Sequence, residues 1–469
     1  MNLYKLFEQY KKNFAIINDE RCITYEQLLS FIKANGRKLS ELNYKKGDKV
    51  ILHENDQMEF VILFFSLLSV GCWVIPVQST ITESECENIV AELDARIVIN
   101  DYNCLYEEAD IKEKILFDDS ENCGILHLTS GTTGKSKFCV RSLKSLAAEG
   151  NSFKLTFSIS ERERFMSLPS MAHSFALGAV VMAALVSGSC ICATSKFMPT
   201  IALRDLEKYK VTFFVCVPFM AKIMLATRMK KHYDLQNVRY ALVGAGAITQ
   251  EIYYGFYERF GVYLMSNYGS TETGGLISRL KPQPYDSIGN PQEGVEIHIL
   301  DSDLNKVRPN EIGEMWVKSK GMFTGYYNHD KKIFSEDGFF FMGDLATYDA
   351  EGNIFLKGRR KWMIDIAGKK VNPFEVEEVL KKYKGIDDCI VVGLEQKGKM
   401  EMIVAFLSGE KVEASLLIEH CVQYLSSHKI PKRMIFLDEM LKNKSGKIDR
   451  NAIMEKYCAA ESERSSWIS

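Results

Sequence analysis

The chain has 469 residues, 46% of them hydrophobic and 26% charged, with a formal net charge of −2. That length allows about three average domains, and the balance is that of a soluble globular protein. Near-neutral charge removes the electrostatic case for a nucleic-acid or anionic-membrane partner. Twelve cysteines are scattered, the closest pair being Cys190 and Cys192. They have neither CxxC nor zinc-ligand spacing and suit a reducing compartment better than a disulfide framework. The opening MNLYKLFEQYKKNF has no apolar signal core, so a cytoplasmic location is expected.

Up to about residue 275, amphipathic helical stretches alternate with short apolar runs. Val50-Ile51-Leu52, Gly124–Leu128, Phe213–Val217 and Tyr240–Val243 read as buried strands of a mostly parallel α/β architecture. Phe60–Val77 and Ala176–Thr194 are each about as long as a membrane span requires. Gly71 followed by Cys-Trp-Val-Ile-Pro breaks the first, and Ser187-Gly188-Ser189 breaks the second. Each is therefore predicted to be a core helix, a tight turn and a strand, with no membrane span.

The run Thr129–Lys137, TSGTTGKSK, follows the strand at 124–128. Its glycines, hydroxyls and lysines cannot fill a core, and its backbone N–H groups are free to meet a polyphosphate. A P-loop needs a glycine, four intervening residues, and then Gly-Lys-Ser/Thr. Gly134-Lys135-Ser136 supplies the second half, but Thr129 stands where the first glycine's backbone freedom is needed. On this stretch alone, a phosphate cradle and a plain polar turn remain equally good descriptions.

From about 284 to 357 the pattern becomes β-rich. Val295–Ile299, Gly313–Lys318 and Gly352–Leu356 alternate between apolar and polar residues, with glycines between strands. A basic knot, Gly358-Arg359-Arg360-Lys361-Trp362, opens a compact helix–strand pattern. Pro373–Lys382 is predicted to be helical, and Cys389–Val392 and Met402–Leu407 to be strands. These last 110 or so residues are long enough for a small domain of their own. The terminal AAESERSSWIS reads as a disordered tail.

Together with TSGTTGKSK, six further segments fall in a fixed order. They are LPSMAHSFALG (168–178), NYGSTETGG (267–275), GNP (289–291), MGDLA (342–346), GRRKWMIDIAGKKVNPFEVE (358–377) and NKSGKIDR (443–450). Any one is weak; the ordered set runs through nearly the whole chain and resembles the adenylate-forming superfamily of acyl- and aryl-CoA synthetases, nonribosomal adenylation domains and luciferases. The resemblance implies an α/β fold with a large N-terminal domain of two α/β subdomains plus a β-barrel, and a small mobile α+β C-terminal lid. Its boundaries here are 1–357 for the core, 358–361 for the hinge and 362–469 for the lid. It also implies a two-step reaction. ATP and a carboxylic acid give an acyl-adenylate and pyrophosphate; a thiol then displaces AMP.

Carried over by motif, Ser130, Thr132, Thr133 and Lys137, with Gly131 and Gly134, hold the β- and γ-phosphates. Lys135 has a lesser role. Lys447 bridges the carboxylate and the α-phosphate when the lid is closed; as a point charge on a flexible stem it suits that task. Glu272 is the Mg²⁺ carboxylate, sufficient alone because Mg²⁺ takes few protein oxygens beside phosphate and water. Asn267, Tyr268 and Gly269 belong to the nucleotide site, with Tyr268 against the adenine, and Thr271 reaches the α-phosphate. Asp344 accepts the ribose hydroxyls and Arg359 contacts the ribose. Lys361 is the hinge, Gly368 lines the thiol tunnel, and His173 gates the acyl pocket.

Four positions depart from the pattern: Ser136 for a usual Pro, Phe138 for a common Gly, Leu441 for a frequent Pro, and Asp365 for a lysine. A carboxylate at 365, near a phosphate-rich site, bears on the thioester step. Ser174 lies close to where amino-acid-activating relatives carry an Asp for the α-ammonium, so an α-amino acid is not expected. Phe175, Gly178, Ala245, Gly246 and Gly275 suggest an apolar pocket with small walls, open to aryl or fatty acids. The acceptor is CoA or, alternatively, a carrier protein's phosphopantetheine thiol. A non-catalytic nucleotide-binding relative is disfavoured by the presence of Lys447 and Glu272.

Overall fold

The computed structural model describes residues 3–97, 121–129, 137–194, 196–228, 231–282, 284–329, 332–366, 369–394, 402–442 and 448–458. They form two compact units, one of residues 1–297 with 317–340 and the other of 298–316 with 341–469. The expected boundary at 358 falls inside the second unit. Strand Ile354–Arg359 pairs with Phe340–Tyr348, and Phe374, on the helix Pro373–Lys381, lies where a side chain at Gly358 would go.

The first unit holds two sheets. A nine-stranded sheet has five parallel strands at its centre, in the order Leu264–Ser270, Tyr240–Val243, Phe213–Cys216, Arg164–Ser167 and Cys190–Cys192. Gly274–Ser278 adds to one side of it as an antiparallel strand. A six-stranded sheet places Gly124–Thr129, Trp73–Gln78 and Lys49–Glu54 side by side in parallel. The antiparallel strand Lys137–Ser142 pairs with Gly124–Thr129.

Both long apolar segments resolve as their breaks require. Gln57–Val70 is a helix capped by Asp56 and ended by Gly71 at φ 88°, followed by strand Trp73–Gln78. Ser174–Ser187 is helical, with a π turn at Leu177–Met182, and ends at Gly188 at φ 71° before strand Cys190–Cys192. No helix among the described residues is long and apolar enough to cross a membrane.

Two buried polar groups anchor this unit. Arg141 is fully buried, and its Nη2 donates to Glu149 at 2.6 Å and to the Gly321 carbonyl at 2.6 Å. Glu149, on helix Leu143–Thr156, also accepts the Gly275 N–H at 2.8 Å. His127, 4% exposed, donates from Nε2 to the Ala172 carbonyl at 2.9 Å, and burial lowers its pKa to about 3.

A four-stranded sheet in the order Val295–Leu300, Gly313–Ser319, Phe340–Tyr348 and Ile354–Arg359 has most of its residues in the second unit. A hairpin follows, Ile364–Ile366 with Lys369–Val371. The C-terminal sheet of Ile386–Leu394, Met402–Gly409 and Arg433–Phe436 packs its apolar face on the helices Pro373–Lys381 and Ala414–Tyr424, through Val376, Leu380, Val391, Ala405 and Leu417. The terminal tail expected from 459 onward lies outside the described residues.

Glu149→Gln should lower unfolding free energy by about 3–5 kcal/mol in chemical denaturation, because the Arg141 charge would stay buried without its counter-charge. A Cβ at Gly178 would overlap the Glu149 carboxylate, so Gly178→Ala should cost about 1–3 kcal/mol. At Gly255, inside helix Gln250–Phe260, a Cβ would meet Leu225 at an ordinary 3.5 Å. Gly255→Ala should be neutral or stabilising by up to about 1 kcal/mol. Unfolded His127 titrates near about 6.5, whereas the folded residue stays neutral to about 3. Between those values the unfolded chain binds the extra proton, so stability falls as pH drops. The stability difference between wild type and His127→Gln should therefore change by about 1.4 kcal/mol per unit from pH 6 to 5. A pH-independent difference would mean that His127 is not held neutral.

Candidate functional site

The segment 130–136 lies outside the described residues, and with it Ser130, Gly131, Thr132, Thr133 and Gly134. Its base is described. Thr129 and Lys137 are register partners at the ends of two antiparallel strands, and the Thr129 hydroxyl donates to the Lys137 carbonyl at 3.1 Å. The loop is therefore closed at a fixed point of the six-stranded sheet.

At that point Lys137 Nζ lies 5.0 Å over the ring of Tyr326, which belongs to the short strand Gly325–Tyr326 beside Cys139. The Tyr326 hydroxyl donates to Glu272 Oε1 at 2.9 Å. Burial, then the Glu272 charge, push the Tyr326 phenol well above its usual range, so it remains a donor. Burial likewise raises Cys139, whose thiol is inert as a nucleophile. Lys137 and Glu272, read separately from the sequence, are thus brought together by Tyr326. The sequence carries no signal for Tyr326 beyond its place in Thr324-Gly325-Tyr326-Tyr327.

Glu272 is half-buried in the turn between strands Leu264–Ser270 and Gly274–Ser278. Ser270 N–H donates to Thr273 Oγ1 at 3.0 Å within that turn, and the Phe323 N–H to the Glu272 carbonyl at 2.7 Å. A Cβ at Gly269 would overlap the Gly274 carbonyl, which explains the glycine by close strand approach. Asn267 is buried, and its amide donates to Ser278 Oγ at 2.8 Å. It holds the hairpin rather than presenting its amide to solvent. Tyr268 and Thr271 are half-buried on the same hairpin.

Among the described residues no cluster of three or more His, Cys, Asp and Glu could hold a metal. The single Glu272 carboxylate fits Mg²⁺ only in company with phosphate oxygens and water, the arrangement that ion prefers.

His173 stands directly before the short helix Ser174–Ala176, with no side-chain bond to its backbone. Its Nε2 accepts from the Gln78 side-chain amide. His173 is exposed as a residue, yet the surrounding protein withdraws enough water to lower its pKa. Ser174 is buried, and its Oγ has no hydrogen-bond partner. Phe175 packs where a Cβ on Gly244 would lie, 2.7 Å from its ring. Ala245, at φ 61°, and Gly246 are exposed just beyond it. A Cβ on Gly178 would meet Glu149, and one on Gly275 would lie 2.6 Å from the Phe153 ring.

In the second unit, Asp344 and Arg359 are cross-strand register partners, and Arg359 Nε meets Asp344 Oδ1 at 2.7 Å. Asp344 is buried and Arg359 keeps 45% of its side chain exposed. Lys361 lies in the 3₁₀ turn Arg360–Trp362, directly after that strand. Gly368 and Lys447 lie outside the described residues, as do the side chains of Lys361 and Asp365.

A family model for AMP-binding enzymes matches residues 4–327, and one for the AMP-binding enzyme C-terminal domain matches residues 375–447. A 2-succinylbenzoate–CoA ligase of Staphylococcus epidermidis is 25% identical, over 97% of this chain and 97% of its own length. An oxalate–CoA ligase of Arabidopsis thaliana is 26% identical, over 93% of each chain. The fold is similar to that of ATP-bound MatB from Rhodopseudomonas palustris, with a TM-score of 0.83, 21% identity, and 98% of this chain and 100% of that one covered. With a large N-terminal and a small C-terminal domain, both matched by their family models, the chain belongs to the AMP-binding enzymes, the adenylate-forming superfamily.

Proposed function

We propose that this protein activates a carboxylic acid with ATP, releasing pyrophosphate to form an acyl-adenylate, and passes the acyl group to the thiol of CoA. One observation carries the proposal. Lys137 and Glu272 both contact Tyr326 at the base of the 130–136 loop, placing a cation and a fixed carboxylate on one phenol. The curated relatives named CoA ligases support the same activity.

Two anions must meet for this reaction, so the protein's task is charge compensation and alignment. Lys137 and the N–H groups of 130–136 take the β- and γ-phosphates. Tyr326 fixes the rotamer of Glu272 through Oε1, aiming the carboxylate without neutralising it. Mg²⁺, held by Glu272 and the polyphosphate, would neutralise phosphate charge. Asp344, already oriented by Arg359, accepts the ribose hydroxyls. Tyr268 lies against the adenine, and Thr271 reaches the α-phosphate. Lys447 bridges the acid's carboxylate and the α-phosphate, and Lys361 is the pivot that changes the C-terminal domain between half-reactions. Gly368 lines the path of the thiol. His173, Ser174, Phe175, Ala245 and Gly246 face the acyl group, which is aryl or fatty. A carrier-protein phosphopantetheine is the alternative acceptor, and the location is cytoplasmic.

The proposal is tested by screening carboxylic acids for pyrophosphate release and then offering CoA or a carrier protein with each hit. Absence of pyrophosphate release with every acid tried would refute it. Lys447→Ala should abolish adenylation yet spare thioester formation from supplied acyl-adenylate; equal loss of both would remove the role given to Lys447. Glu272→Gln should lower kcat for adenylation by about 10²–10³-fold, measured as pyrophosphate release at saturating ATP. An unchanged kcat would exclude Glu272 from the phosphate site.

A further inference from the structure

Three side chains on neighbouring strands of the six-stranded sheet close on one short segment, two on its backbone and one on a side chain. The strands are Lys49–Glu54, Trp73–Gln78 and Gly124–Thr129, and Glu54 and Gln78 are register partners at the ends of theirs. The backbone they meet, Ser170–His173, follows strand Arg164–Ser167 of the other sheet. Glu54 Oε2 accepts the Ala172 N–H at 3.1 Å and also the Ser170 hydroxyl. His127 Nε2–H donates to the Ala172 carbonyl at 2.9 Å. Both backbone polar groups of Ala172 are therefore engaged, each by a different strand. Gln78 then donates to the ring of His173. Just beyond Glu54, Gln57 donates to the Ser167 carbonyl at 3.1 Å and accepts the Thr194 N–H at 3.0 Å.

The segment at 170–173 has no helix or strand ladder to define it, so its shape follows from whatever satisfies its polar groups. Here those partners are buried. Glu54 is 9% exposed and His127 4%. Burial raises the Glu54 carboxyl and lowers the His127 imidazole, the cost of keeping such groups out of water. Neither is needed for the hydrogen bonding of its own sheet.

Resting on the proposed acid-activating function, we propose that Glu54, Gln78 and His127 are positioning residues that fix the backbone and ring of His173 at the acyl pocket. With Nε2 accepting from Gln78, the neutral His173 ring carries its proton on Nδ1. The same strand that supplies His127 runs directly into the 130–136 loop. One rigid element thus sets both the acid's gate and the base of the phosphate loop. Reaction between two bound anions is sensitive to such alignment, since displacement by about 1 Å can cost about 10²-fold in rate.

The test combines hydrogen–deuterium exchange of the unliganded protein with KM values for acid and for ATP in pyrophosphate release. Glu54→Ala should raise exchange in residues 168–176 by about 10-fold and raise the acid KM by about 10-fold, with the ATP KM within about twofold. Glu54→Gln keeps an oxygen that can accept from Ala172 and should recover most of both. Gln78→Ala leaves the backbone grip intact, so it should raise the acid KM without changing exchange, and it stands in if Glu54→Ala does not fold. Unchanged exchange in a folded Glu54→Ala protein, or equal effects of Gln78→Ala on acid and ATP, overturns the assignment. The exchange measurement needs no substrate, so a failure of the enzymatic reading and a failure of the clamp give different results.

Discussion

The carboxylate of Glu149, buried against Arg141, is the constraint on which the larger unit depends. It stands on helix Leu143–Thr156, accepts Arg141 from the six-stranded sheet and accepts the Gly275 N–H from the nine-stranded sheet. Gly178, Gly274 and Gly321 are small where they approach it. Compared with well-packed apolar residues, a buried ion pair adds little net stability, but half of one is costly. The arrangement therefore tolerates the pair or neither member. What the pair fixes is the placement of Gly275, and with it the turn that carries Thr271 and Glu272.

From that junction outward, the geometry at the loop base follows. Strands Gly124–Thr129 and Lys137–Ser142 close the 130–136 loop at Thr129 and Lys137. Tyr326 joins the sheet edge beside Cys139 and reaches Glu272. A cation and a carboxylate are each held against the same phenol, Lys137 over its ring and Glu272 at its hydroxyl. That leaves both available to a polyphosphate and its metal, the requirement of the proposed reaction. In the second unit, Asp344 is oriented by Arg359 in the same way, so its acceptor oxygens do not depend on a ligand for their placement.

Much of the fold was legible in the sequence because strand and helix periods are local. Tyr240–Val243 is a strand over the predicted residues, and Pro373–Lys381 a helix within one residue of its predicted end. The glycine and serine breaks in the two long apolar segments correctly separated helix from strand. The site was legible only where motifs name it. Tyr326 and Glu272 are 54 residues apart, and Gly275 and Glu149 126 apart. No periodicity reports such pairings. For the same reason no local pattern reports that Gly178 approaches Glu149 and Gly275 approaches Phe153. Nor does it report the bond from the Asn267 amide to Ser278. The basic motif that opens at 358 is a chemical landmark, whereas the division into compact units reflects long-range contacts that no local pattern reports.

The central claim is that a carboxylate of the substrate attacks the α-phosphate, so one of its oxygens must leave in AMP. The direct measurement uses an activated acid carrying ¹⁸O in its carboxyl group, with mass spectrometry of the AMP and phosphate products after thioester formation. The account predicts one ¹⁸O in AMP and none in pyrophosphate. Label in inorganic phosphate, or AMP without label, would contradict it.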